Sequence, residues 1–439
     1  MLMISKIIFA LLLLVSIFLF VRRIVQIARN IKVGVKSGMY ENMPARLKKM
    51  FLVAIGQSKM VKRPLAGIFH IFIYVGFILV NIELIEIATD GITGSHRVLS
   101  SFSIYPFLIS FFEILAVLVI LACSIFLIRR NILKLDRFHS AEMTSWPRLD
   151  ANIILITEIA LMIAFLTMNA SDLQLQALGA DHYSRTGNFL ISGLFYPEFN
   201  TLSISQLTLI ERFAWWFHIV GIFAFLNYVP YSKHFHILLS FPNVYYSKLK
   251  PLGYISNMES VTNEVKIAMG LVKETAETPN EVPAFGAKDV MHLSRKSLMD
   301  AYACTECGRC TMVCPANLTG KKLSPRKIVM DTRDRLEEFG KIKGLENGNP
   351  LINKTLLKNY ITEEEIWACT TCNACSYECP VNIDPVKIIV ELRRYLFMEE
   401  SGAPSTLNAM CQNIENNGAP WQYSSADRDK WTQGVYLNR

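Results

Sequence analysis

The sequence predicts an all-α protein: a bundle of five transmembrane helices followed by an α-helical domain on the cytoplasmic side. Three observations predict it. Hydrophobic residues make up 51% of the 439 positions and are concentrated in the first 240. Five apolar segments there approach or exceed the ~20 residues that span a bilayer as helix. The remainder is charge-rich and carries two matching cysteine runs, with little alternation that would read as strand.

The five helices are expected near 5–27, 65–88, 105–128, 151–169 and 209–231. The first is too long for a signal peptide, and Arg22-Arg23 follow it rather than precede it. The loops set the orientation. Counted with Arg22 and Arg23 at the end of the first helix, those after the first and third helices carry sixteen Lys and Arg, and the other two carry only Arg97 and Arg185. By the positive-inside bias the N-terminus is outside and the chain after the fifth helix is cytoplasmic, in the inner membrane. The formal charge of +8 is thus an orientation signal rather than a nucleic-acid footprint.

Three histidines stand out. His70 opens the second helix, and His218 and His236 lie on the fifth and its extension. Ionisable groups at membrane depth usually face a partner or cofactor. Eighteen residues separate His218 from His236, five turns, so both share a face if Pro230 does not kink the helix. His234 falls ~160° from the His218 face. Opposed helix directions put His70 and His236 at one depth near the cytoplasmic face, where two neutral imidazoles suit bis-His ligation of a b-type haem. The alternative is a headgroup-level histidine touching water. His218 is a candidate for a second haem but faces Val80 to Glu83, where there is no histidine. Asn81, Glu83, Glu86, Glu113 and Glu158 are intramembrane polar groups, either proton relays to a quinone or, for Glu83 and Glu86, interfacial groups close to Asp90.

Residues 241–295 read as a linker that includes the polar stretch ETAETPNEVPAFGAKD, and 296–400 as the soluble domain. Its runs are ACTECGRCTMVCP and ACTTCNACSYECP, each C-x2-C-x2-C-x3-C-P. Three closely spaced thiolates cap three corners of one cubane, and in two-cluster ferredoxins the fourth ligates the other cluster. Cys304, Cys307, Cys310 and Cys379 are therefore expected to hold one [4Fe–4S] cluster, and Cys369, Cys372, Cys375 and Cys314 a second. Structural zinc is the competing reading. Thiolates that bind iron need a reducing compartment, again the cytoplasm. Helices are expected over SPRKIVMDTRDRLEEFG, capped by Ser324, over TEEEIWA, capped by Thr362, and over KIIVELRRYLFM. Cys123 reads as a core residue and Cys411 as a free thiol. Residues 401–439 form a tail expected to dock a partner.

On these cysteine motifs the soluble half resembles the α-helical dicluster ferredoxins of heterodisulfide reductase and of the lactate/glycolate oxidase iron–sulfur subunits. IENNGAPWQYSSADRDKW (414–431) resembles the stretch that leads there into cysteine-rich CCG domains. No CCG motif follows here, which implies that such domains lie on a separate subunit. Through Phe69-His70 and the pair His218 and His236, the membrane half resembles the nitrate reductase gamma subunit, a five-helix dihaem cytochrome b that exchanges electrons with quinol. IGQSKMVKRPLAGIFH resembles fused membrane iron–sulfur oxidoreductases related to heterodisulfide reductase. The gamma subunit has another histidine ten residues after the first on its second helix, where this chain has Val80. The resemblance implies one haem on His70 and His236 and leaves a second, on His218, without its partner.

The resulting expectation is an electron-transfer subunit linking a cytoplasmic flavoprotein, two clusters, b-type haem and menaquinone. The alternatives are quinol-driven reduction of a disulfide-like acceptor at a CCG subunit, and a haem-free membrane anchor or redox sensor.

Overall fold

The computed structural model describes residues 2–36, 38, 41–187, 189–195, 199–272, 285–342 and 353–434. It is helical throughout, and among the described residues the only β pairing is two isolated bridges.

Five helices are long and apolar enough to cross a membrane: α1 (Leu2–Lys32), α3 (Pro64–Thr93), α4 (Tyr105–Leu127), α5 (Trp146–Ala177) and α6 (Ile204–Tyr228), with the short α2 (Met43–Met50) between the first two. Four of the five extend beyond the apolar stretch that announces them at one or both ends, and α4 matches its stretch closely. Local chemistry sets the boundaries. Pro64 opens α3, where its missing N–H costs nothing, and Gly94 closes it at φ 75°. Ser203 and Gln206 form a reciprocal capping box at the start of α6. Ile4, Leu11, Leu14 and Phe18 of α1 stand exposed, the outward apolar face that lipid requires.

The second half is built from α7 (His236–Tyr245), α8 (Glu259–Ala268), α9 (Arg295–Ala303), α10 (Pro325–Ile342), α11 (Pro385–Met398) and α12 (Ser405–Asn417), with single turns between them. The expected helices after Ser324 and Thr362 are present, and both hydroxyls accept backbone N–H bonds as caps. Much of the polar linker stretch, 273–284, lies outside the described residues.

The halves share a core. Ile27 of α1 and Phe225, Val229 and Phe235 around the end of α6 cluster with Leu293, Leu298 and Ile328. The last turns of α1 run past the bundle to meet α10, where Arg23 forms an ion pair with Glu337 at 2.7 Å. Asn30 donates to the Tyr302 hydroxyl, which donates in turn to Glu337.

One expectation fails. The fifth membrane helix does not continue unbroken to His236. It ends at Tyr228, and two tight turns, Val229–Tyr231 and Lys233–Phe235, precede α7. Pro230 has no N–H to give to the carbonyl four residues back, so the helical ladder stops there. His218 and His236 therefore do not share one helical face, and His234 is brought to His236 rather than held away from it.

Candidate redox site

The two cysteine runs fold alike. In each, the second residue after the first cysteine has positive φ (Glu306 at 52°, Thr371 at 55°), as does the fourth (Gly308 at 74°, Asn373 at 60°). This left-handed curl turns the loop so that its amides face sulfur: Glu306 N lies 3.5 Å from Cys304 Sγ, and Thr371 N 3.4 Å from Cys369 Sγ. The runs also approach each other. Cys375 and Cys379 of the second line one cleft with Cys304, Cys307 and Cys310 of the first. Cys314 belongs to the electrostatic surroundings of Cys369, together with Cys372.

The donor set fits iron–sulfur clusters. Burial, then Glu306 and Cys307, pushes the Cys304 thiol up to about 12. Burial, then Cys307, does the same to Cys379. Buried thiols that repel one another as anions gain most from a cationic centre that neutralises them. A structural zinc takes four ligands at one centre, whereas a cubane sets each thiolate on its own iron, which suits two complete four-cysteine runs.

Both runs are fastened to the membrane half. Glu306 is buried, accepting from Lys233 Nζ at 2.5 Å and from Arg333 at 2.7 Å. Arg309 donates to the Lys59 carbonyl, and Lys59 Nζ donates to the Cys379 carbonyl, both at 3.1 Å. The end of the second run is tied there as well, with Arg63 paired to Glu378 at 3.4 Å and Lys62 Nζ donating to the Tyr377 hydroxyl, while its Cys372 is exposed.

Lys233 leads directly to the histidines. Its carbonyl lies 2.9 Å from His236 Nδ1, so a proton on Nδ1 leaves Nε2 free as a ligand. The rings of His70 and His236 stand 6.4 Å apart, centre to centre. Two imidazoles on opposite sides of one metal, at ~2 Å per bond, need about that separation. His70 Nδ1 is buried without a hydrogen-bond partner. Burial lowers the pKa of His236, which favours the neutral form that binds metal. His234 packs at 5.6 Å from His236 and 5.5 Å from Phe225, a neighbour the helical spacing did not anticipate. His218 has no such pairing. Its Nδ1 lies 2.9 Å from the Leu161 carbonyl, and its ring packs on Phe165.

Glu83 and Glu86 are buried within the protein. Glu113 is a structural group: Asn169, Ser192 and the Ile191 amide all donate to it. Sequence reasoning passed over Glu306, Lys233 and Arg309. The signal was available for two of them, because charged residues inside a cysteine loop (TECGRC) must find partners once the loop is buried.

Residues 303–383 match the model of the 4Fe-4S dicluster domain family. The chain is 30% identical to the probable iron-sulfur-binding oxidoreductase FadF of Bacillus subtilis, over 95% of this chain and 59% of the relative. It is 27% identical to the EtfAB:quinone oxidoreductase of Syntrophomonas wolfei, over 89% of this chain and 54% of the relative. It is also 27% identical to one of the subunits of the dihydromethanophenazine:CoB–CoM heterodisulfide reductase of Methanosarcina mazei, over 33% of this chain and 35% of the relative. The chain thus spans little more than half the length of the first two. No solved structure matches it. These relatives are iron–sulfur oxidoreductases, and this chain joins a dicluster iron–sulfur domain to five membrane helices.

Proposed function

We propose that the chain is the membrane subunit of a quinone-linked oxidoreductase. In this reading electrons pass between a flavoprotein on the iron–sulfur side and menaquinone in the bilayer. The observation that carries it is the Ser232–His236 turn. There one residue, Lys233, both pairs with Glu306 of the first cysteine loop and supports His236 beside His70. Bound clusters and haem supply the one-electron redox chemistry; the protein fixes their spacing, orientation and potential. Cys304, Cys307, Cys310 and Cys379 hold the membrane-proximal cluster. Cys369, Cys372, Cys375 and Cys314 hold the one open to a partner. His70 and His236 are the haem ligands.

The relatives support the two ends of this chain of transfer: an EtfAB:quinone oxidoreductase matches over most of the sequence. Likeness to part of a heterodisulfide reductase favours a second direction, quinol-driven reduction of a disulfide-like acceptor at a CCG domain.

The test is a reduced-minus-oxidised spectrum of the purified protein. A b-type band is expected, and His70→Ala and His236→Ala should each abolish it while the cluster signals persist. A wild-type protein without the band sinks the haem assignment.

A further inference from the structure

At the end of the bundle far from the cysteines, α3, α5, α6 and the first turns of α1 enclose a cavity. Its walls are mixed. Phe9, Ile87, Met168 and Trp215 give it an apolar side, and a group of carboxylates and bases gives it a polar one.

Nearly every charge there is accounted for. Asp90 accepts from the amides of Arg97 and Val98 at 2.8 and 3.0 Å. Glu86 accepts from the Leu99 amide and the Tyr105 hydroxyl, each at 2.9 Å. Asp172 takes Arg97 Nε at 2.5 Å and lies 3.1 Å from His96 Nε2. Glu211 pairs with Arg212 and accepts from the Tyr183 hydroxyl.

Glu83 is different. It is 1% exposed, it lines the cavity, and neither of its oxygens has a hydrogen-bond partner. The ring Nδ1 of His96, on the same cavity, is likewise buried and unpartnered. An unmatched carboxyl group at membrane depth is costly, and a fold that has satisfied its neighbours gains nothing structural from keeping it. The spacing of Glu83, Glu86 and Asp90 sets all three on one face of α3, leading from the cavity to the surface at that end.

We propose that this cavity takes the ring of a quinone, and that Glu83 exchanges a proton with it. The proposal rests on the quinone-linked reading above and adds the site. Reduction of quinone to quinol adds two electrons to the ring and one proton to each carbonyl oxygen. The electrons come from the reduced flavoprotein by way of the iron–sulfur domain. Glu83 gives one proton to a carbonyl oxygen and regains it from the distal surface, and His96 Nδ1 serves the second oxygen. Oxidation of quinol reverses each transfer. Thirteen residues of α3 separate Glu83 from His70, ~20 Å of helix. Electrons and protons therefore enter from opposite ends of the bundle.

The experiment uses the full chain in nanodiscs and a short-chain naphthoquinol, following bleaching of the iron–sulfur absorbance. Glu83→Gln should slow quinol-driven reduction at least about tenfold, with the dithionite-reduced spectrum unchanged. His96→Asn should slow it less. If the wild type does not react with quinol, the quinone-linked reading falls and this site falls with it. If the wild type reacts and Glu83→Gln reacts equally fast, only the site falls. Should Glu83→Gln lose its clusters, photolabelling of the wild type with an azido-naphthoquinone decides. Label within residues 83–97, displaced by excess quinone, supports the site; label confined to the turn around His70 overturns it.

Discussion

The two cysteine runs share a spacing and a backbone, and differ in what surrounds them. The first is covered. Gly308 has no side chain because Arg326 and Arg137 occupy the space: a Cβ there would lie 2.7 Å from an Arg326 nitrogen. The second run uses Asn373 at the equivalent left-handed position, with its side chain donating to the Thr371 carbonyl at 2.9 Å. The second residue of the first loop after its leading cysteine is the buried Glu306, held by two cations, and that of the second is Thr371. A motif that looks duplicated in sequence is thus asymmetric in use. Both touch the membrane half, but the first loop is closed over by Lys233, Arg333 and Arg326 while the second leaves Cys372 exposed.

The largest test of this comparison is the crossing of the fourth ligands. Cys314→Ser should remove the cluster of the second run, and Cys379→Ser that of the first. Iron content should fall by about half in each, with different signals lost from the paramagnetic spectrum. Loss of the same signal in both variants would falsify the crossed assignment. Next in size is the ionic fastening. Lys233→Met leaves Glu306 buried with one cation fewer and should cost about 3 kcal/mol in denaturant unfolding. Thr371→Ala, at the matching place, should stay within about 0.5 kcal/mol. Equal losses would mean the first loop is not held more firmly than the second. The smallest test exchanges the left-handed residues. Gly308→Asn should destabilise by about 2 kcal/mol through overpacking. Asn373→Gly should cost less than about 1 kcal/mol, since glycine adopts that backbone freely.

Much of this was legible in sequence, for identifiable reasons. The membrane helices announce themselves because lipid demands uninterrupted apolar length, and the cysteine runs because cubane chemistry dictates spacing. Ser324 and Thr362 were readable as caps because capping is local. The break after Tyr228 was only half legible. Pro230 flagged a disturbance, but the two turns that bring His234 beside His236 depend on Ser232, whose hydroxyl accepts from the His234 amide, and on Asp150 of α5, which accepts from the Lys233 amide. The partnership of Glu306 with Lys233 links positions 73 residues apart and leaves no periodic trace. Nor could spacing distinguish Glu113, saturated with donors, from Glu83, which has none. That difference arises only when a neighbouring helix and loop supply the partners.

The shared core between the halves has a mechanical consequence. A ferredoxin on a tether would sample distances and deliver electrons only when it swung close. Here Ile27, Phe225 and Phe235 are packed among the residues of the iron–sulfur domain, and Arg23 anchors α10 from the membrane side. The domain is a fixed terminal rather than a swinging arm. Any donor or acceptor would have to supply the motion that this packing denies the domain.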